Sequence, residues 1–473
     1  MKNKFFFIKL FNKGLLTNMI LSRLWKADTN NHFIKNICWG LGIVIMLQFA
    51  DNTGIGQDMI NKAHDVLVMK DFKKEVLESN DQNAISNDIR MIVFDKETYE
   101  HKKYPGGKYW TPRKLLGNAL IKTIEKGATV VAVDFTLEKP VPATCVNEKC
   151  VDENALYLNL LQKAADIARK KNCVIIIPKI KPENNATDYT KAYHRLIEGN
   201  SDVMISGNPL IYKNSQDKIV RHFNFFQTSK SHDIVFSVPV LAAIYHWFGK
   251  EKGDEFIQKA KAEIKAKKEI SLIQSNYNTM QKIQLFYQDS QKECLAARYK
   301  FRILPKKVIH EKFGGGKIPS DLVIQPFIVL NPYFDQKRIK GKIVVIGSDY
   351  PDFGDIHQTP FGKIAGVYLI ANVMNMFMMG DQVKEIHFVL KFSILLVWIV
   401  IASLLYTHLN HILSFLILIV LLISINTPVS VWIFSKWGIF MDFWLPVSIM
   451  GIRENIESTI NFFLSIISKK EEK

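Results

Sequence analysis

The sequence predicts an α/β fold: a mixed, mainly parallel sheet flanked by helices, plus four transmembrane helices, one N-terminal and three C-terminal. Three observations predict it. Short continuous apolar runs alternate with amphipathic stretches of helical period, which is the pattern of βα units with a sheet covered on both faces. Long uninterrupted apolar segments occur only at about residues 36–50 and beyond residue 386. Between them lie roughly 335 mixed residues with no run near the ~20 apolar residues that a bilayer crossing requires.

The elements follow in order. A helix is expected over 58–75, with Ile60, Ala63, Val66 and Leu67 on one face. Residues 88–94 read as a buried strand ending at Asp95. Trp110–Thr111–Pro112–Arg113 then opens a helix through Leu115, Leu116, Ala119, Leu120 and Ile124, which Gly127–Ala128 ends. A second strand, 129–133, closes at Asp134–Phe135. A helix over 155–171 and a strand over 174–177 come next, and a last pair joins the strand 342–347 to a helix over 367–379. The lysines between 250 and 268 alternate with Glu251, Asp254, Glu255 and Glu263, as on a solvated helix face. Gly314–Gly315–Gly316–Lys317 lacks the spacing of a phosphate loop and reads as a surface hairpin.

Residues 1–32 form a basic cytoplasmic segment and 33–50 the first transmembrane helix, without a small-residue cleavage site at its end. Residues 51–385 form the exported domain. Three further spans occupy 386–452, at about 386–406, 412–434 and 437–452, with Pro428 as a kink in the second. A short cytoplasmic tail covers 453–473. Apolar residues make up 48% and charged residues 23% of the chain, so the membrane pattern is local and averages out. The net charge of +17 gathers in the N-terminal flank and the 250–268 helix, with no basic stripe bearing stacking aromatics. Nucleic acid is therefore not an expected partner; the lipid bilayer is.

Five cysteines show no CxxC pair and no Cys/His metal spacing, so no metal-thiolate site is expected, and Asp355-x-His357 offers two ligands, too few to make a metal site by themselves; no metal and no cofactor are expected. Cys38 and Cys173 read as packing residues. Cys145 and Cys150, five apart in a turn-rich segment, can close a small disulfide loop. Asp95 and Asp134 both end buried strands, at the edge where open α/β sheets place ligands, and Asp355 and His357 follow a third. If the three strands are neighbours, together they can make a carboxylate and imidazole cluster for a divalent cation or a small polar ligand, with Arg113 holding an anion or one of the Asp residues. The ordinary use of Asp at such ends is to cap the next turn or helix, and of Arg113 to tie loops together. No nucleophile and base can be paired, so an enzyme is not expected.

The same residues resemble a known family. A strand ending in Asp95, Trp110-x-Pro112–Arg113, a strand ending in Asp134–Phe135, Gly341 to Gly347, Gly354–Asp355-x-His357-x-Thr359–Pro360, Gly366–Val367 and Ala371–Asn372 are similar to the second type of CHASE domain. These are extracellular sensory domains associated with bacterial cyclases and histidine kinases. The resemblance covers roughly 50–450 and implies a multi-pass protein of the bacterial inner membrane with the domain outside, often working as a homodimer. Family members commonly continue into an output module. Here about twenty residues follow Ile452, so a separate protein partner is expected to take the signal. The alternative is a structural or assembly component that uses the domain as a docking surface in an envelope complex.

Overall fold

Six buried apolar runs pair side by side, all parallel, in the computed structural model. Besides residues 38, 41 and 42, it describes 54–440 except 79–83, 101–110, 136, 138–139, 142–143, 147–148, 179–186, 210, 214–216, 229–233, 267–269, 275–280, 286–293, 299, 315–320, 351–354, 386–387, 409–410, 422–423 and 426. The strands are β1 (Ile89–Phe94), β2 (Val130–Asp134), β3 (Val174–Pro178), β4 (Met204–Gly207), β5 (Val323–Ile324) and β6 (Ile343–Ser348), in the order β5-β1-β6-β2-β3-β4. The chain therefore skips a place between β1 and β2, and β6 returns much later to fill it, with Ile343 to Gly347 in register against Val130 to Asp134. The expected mixed sheet is thus wholly parallel here. Antiparallel pairing sits apart, in a four-stranded sheet built on Val220–Thr228 and in hairpins.

The strand residues are buried on both faces, as a parallel sheet requires. One set (Ile92, Phe94, Val131, Val133, Ile175, Ile177, Val344, Ile346) shares a core with Leu115, Leu116 and Leu120 of α1 (Arg113–Glu125) and with Tyr157, Leu161 and Ala165 of α2 (Glu153–Lys171). The alternate residues face α3 (Val238–Lys265) and α4 (Gly366–Met379), which pack on β2, β3, β6 and β1. Asp152 caps α2 by accepting from the amides of Asn154 and Ala155. Gly347 allows α4 its close approach: a methyl there would sit 2.6 Å from Val367 Cγ2. Every strand and helix expected between 58 and 379 is present within a few residues, including Gly54–Phe72, now 19 residues long. The Lys-rich stretch is the second half of α3, after a break at Gly249 with φ 72°. Gly314 ends the helix Lys306–Phe313 in a left-handed conformation rather than standing in a hairpin, and 315–320 lie outside the described residues.

The chain divides into two units, Val68–Val383 and Met1–Leu67 with Lys384–Lys473. The second holds α5 (Phe388–His408), α6 (His411–Leu421) and α7 (Thr427–Trp437). Trp398 and Leu418 pack α5 and α6 together, and Ser414 Oγ donates to the Leu405 carbonyl. Among the described residues, no helix is long and apolar enough to cross a membrane. The helix of α5 is 21 residues long, with side chains described over 389–405. Within the expected span over 412–434 lie two helices of 11 residues, each about 16 Å at 1.5 Å per residue, and residues 422, 423 and 426 between them lie outside the described residues. Pro428 falls at the start of α7, where its missing N–H costs nothing, and so opens a helix rather than kinking one. Where the third span was expected to begin, Ile439–Phe440 is a strand pairing with Lys384–Glu385. Residues 441–473 and nearly all of the expected first span lie outside the described residues; Cys38, within it, is exposed rather than packed.

Candidate functional site

The carboxyl edge of the sheet gathers acidic groups from β1, β6 and β2, the three central neighbours. At the end of β1, Asp95 turns back on its own chain. Its Oδ1 accepts from the Thr98 amide at 2.9 Å and the Thr98 hydroxyl at 2.7 Å, and its Oδ2 accepts from Gln325 Nε2 at 2.9 Å. That is a cap on the short helix Lys96–Glu100, the local role such a residue ordinarily plays.

Asp134, at the end of β2, is placed differently. Its Oδ2 is enclosed and has no hydrogen-bond partner among the described residues. Burial pushes its carboxyl well above the usual carboxylate range, and the negative charge of Asp355 pushes it the same way. Asp355 is brought there by a hairpin, Ile356–Thr359 against Gly362–Ala365, which Thr359 closes by donating from its hydroxyl to the Gly362 carbonyl. The backbone amide of Gly366 donates to the Asp355 carbonyl at 2.9 Å, so Asp355 stands opposite the first residue of α4. The Asp355 side chain lies over that glycine, and a methyl group at 366 would overlap its Oδ2. His357, two residues on, is buried. Its Nε2 lies 2.8 Å from Asp355 Oδ1, while Nδ1 is enclosed without a partner among the described residues.

Between these two ends sits the end of β6. Ser348 accepts from the Tyr99 hydroxyl and donates to the Phe94 carbonyl, and Tyr99 stacks on Tyr350 at 5.1 Å. Burial raises the Asp349 carboxyl to about 6, Asp95 adds to the rise, and the hydrogen bond from Tyr368 opposes it. Burial likewise raises the Tyr99 phenol to about 12 and the Tyr368 phenol, which is also held up by the charge of Asp349. Neither Asp349 nor Tyr368 was expected from the sequence. Asp349 follows its strand as Asp95 follows β1, so the pattern that singled out the one was there for the other.

With that geometry in view, the comparison with protein families is decisive. The family model for the CHASE2 domain matches residues 40–408, more than three quarters of the chain. The chain belongs to the CHASE2 family. A search of curated proteins and of solved structures finds no match. CHASE2 domains are sensory, typically the extracellular part of membrane proteins, as the resemblance of the strand-end motifs implied.

Of the expected site residues, this CHASE2 structure joins Asp134, Asp355 and His357 into one cluster. Asp95 belongs to the neighbouring group with Asp349. Arg113 is buried in a different setting: it lies 4.5 Å over the Tyr189 ring and 6.0 Å over the Tyr157 ring, and donates toward the Leu137 carbonyl. Its backbone N–H donates to Glu153. It ties α1 to α2 and to the loop after β2, the packing role open to it in the sequence. Cys145 and Cys150 stand directly opposite each other in the pairing of Thr144–Val146 with Lys149–Val151. Among the described residues no group of three or more His, Cys, Asp or Glu could hold a metal ion.

Proposed function

We propose that this CHASE2 protein is a membrane-anchored receiver with its sheet unit outside the cytoplasm. It takes a small, positively charged or hydrogen-bond-donating ligand at the carboxyl edge and passes the change through its flanking helices to an output protein. The observation that carries the reading is the enclosed, unpartnered Oδ2 of Asp134 facing Asp355. Burial and the charge of Asp355 hold the Asp134 carboxyl protonated, and a ligand that brings donors or a positive charge would satisfy the enclosed oxygen and favour the ionised form.

Support for the membrane anchor comes from exposure. Of fourteen exposed large apolar side chains among the described residues, twelve fall between Val389 and Trp437. Such a concentration marks a surface meant for lipid or protein rather than water. The lysine-rich N-terminal flank favours a cytoplasmic start. In an oxidising compartment the facing Cys145 and Cys150 would be bonded, and thiol labelling of the unreduced chain should then spare both.

The test uses the full-length chain in lipid nanodiscs and follows its thermal unfolding against small amines and small carboxylates. Stabilisation by an amine, lost in Asp134→Asn and His357→Gln, supports the reading. Stabilisation by carboxylates alone, or by nothing in either panel, overturns the ligand class. A reporter fused after residue 200 that is active only in the cytosol overturns the placement outside.

A further inference from the structure

The sheet unit begins at Val68 and ends at Val383, so its two chain connections lie beside Asp71 and Asp381. Both carboxylates are held by one side chain. Arg302 Nη1 lies 2.7 Å from Asp71 Oδ2, and Nη2 lies 3.1 Å from Asp381 Oδ2. Lys300 adds a contact of 2.6 Å to Asp381 Oδ1. The side chains of Arg302 and Asp71 are 6% and 1% exposed, so this is no surface pair of negligible weight. A buried charge left without its partner is strongly unfavourable. The guanidinium is a planar fork whose donors serve two carboxylates from one rigid group, which an ammonium on a flexible stem does less well.

Arg302 is itself positioned by α4. The fully buried amide of Asn372 accepts from the backbone N–H of Arg302 at 2.6 Å and of Ile303 at 2.9 Å. It donates to the carbonyls of Ile303 at 2.6 Å and Tyr368 at 2.7 Å. Two bonds accepted and two donated exhaust its capacity. One turn on, Asn375 accepts from the Ser86 amide at 2.7 Å and so holds the approach to β1. The helix that bears these contacts starts at Gly366, under Asp355.

We infer that Arg302, set in place by Asn372, is a clasp that couples the segment around Asp71 to the segment around Asp381, so that the two chain connections of the sheet unit loosen and tighten together. This goes beyond the ligand reading and does not need it. A chain that ignores every ligand leaves the clasp intact, so the two ideas fail separately.

Hydrogen exchange of the full-length chain in detergent micelles tests it, with segments 68–72 and 376–383 as the readout. Asp381→Asn should speed exchange at 68–72 as well as at 376–383 by about tenfold, within the coupling seen inside one ion network. Asp71→Asn should do the same at 376–383. Asp217→Asn, which removes the partner of the buried Arg221 elsewhere, should leave both segments unchanged. Arg302→Lys keeps the charge and removes the fork, and should reproduce the paired loosening even if a neutral variant fails to fold. Loosening confined to the mutated residue's own segment, or no change in Arg302→Lys, overturns the clasp.

Discussion

Asp95 and Asp134 end the two strands that flank β6, yet their carboxylates sit in opposite circumstances. Asp95 spends both oxygens on Thr98 and Gln325. Asp134 keeps an enclosed oxygen without a partner and faces a second carboxylate. Residue type is the same and both stand where a central strand ends, Asp134 as the last residue of β2 and Asp95 just past β1, two places further along the register. What differs is the chain that follows: after β1 a short helix turns back at once and offers its amides, while the groups near Asp134 come from a hairpin more than two hundred residues away. A satisfied strand end is structural, and an unsatisfied one is available to something else.

The comparison can be broken at several points, and the largest expected effect is at Asp134. Its carboxyl is raised in the folded protein, so the stability it contributes is complete below the ordinary carboxylate range and is lost as pH rises through the folded value. Asp134→Asn removes that loss. The variant should unfold at higher denaturant than the parent at pH 8, with the gap closing toward pH 4; a variant less stable at pH 8 would show the carboxylate to be satisfied after all.

Asp349→Asn comes next. With its carboxyl raised from 3.8 to about 6, the folded protein keeps a proton that the unfolded chain gives up. Stability from this group should therefore fall as pH rises from about 4 to 6, and two pKa units correspond to roughly 3 kcal/mol. The Asn variant should flatten that limb in a urea series run across the same pH range. Asp95→Ala should act with the opposite sign, losing about 1–2 kcal/mol at neutral pH with the Thr98 cap. Equal and opposite results at Asp95 and Asp134 sharpen the contrast; destabilisation by both erases it. The smallest effect is expected from His357→Gln, under about 1 kcal/mol, because its partner Asp355 is half exposed and such pairs are weak.

Much of this was legible beforehand. The central strands read as continuous apolar runs because both faces are covered, and the helices between them kept their period, so β1, β2, β3 and β6 were placed to within a residue or two. The short edge strands β4 and β5 escaped notice. Val323–Ile324 is two residues long and has no period to read. Pairing of Asp134 with Asp355 and His357 was suggested by strand ends alone, whereas Asp349 was passed over and Arg113 was left between an acidic partner and a role in tying loops together. Guanidinium groups bind carboxylates and also lie on aromatic rings, and only the positions of Tyr157 and Tyr189 decide between them.

By itself the sequence determined the kinds of element, a mainly parallel sheet and the edge at which acidic groups would collect, since each follows from side-chain period and from how a strand hands over to a helix. Tertiary structure alone decided which acid is capped and which is left wanting, and that Arg302 would reach both Asp71 and Asp381. The reason is separation: the Gln325 that satisfies Asp95 lies 230 residues away in the chain, and the Asp381 that Arg302 holds lies 79 away. Hydrogen bonding and ion pairing act over a few ångströms of space, and local pattern carries no record of which distant residues will share them.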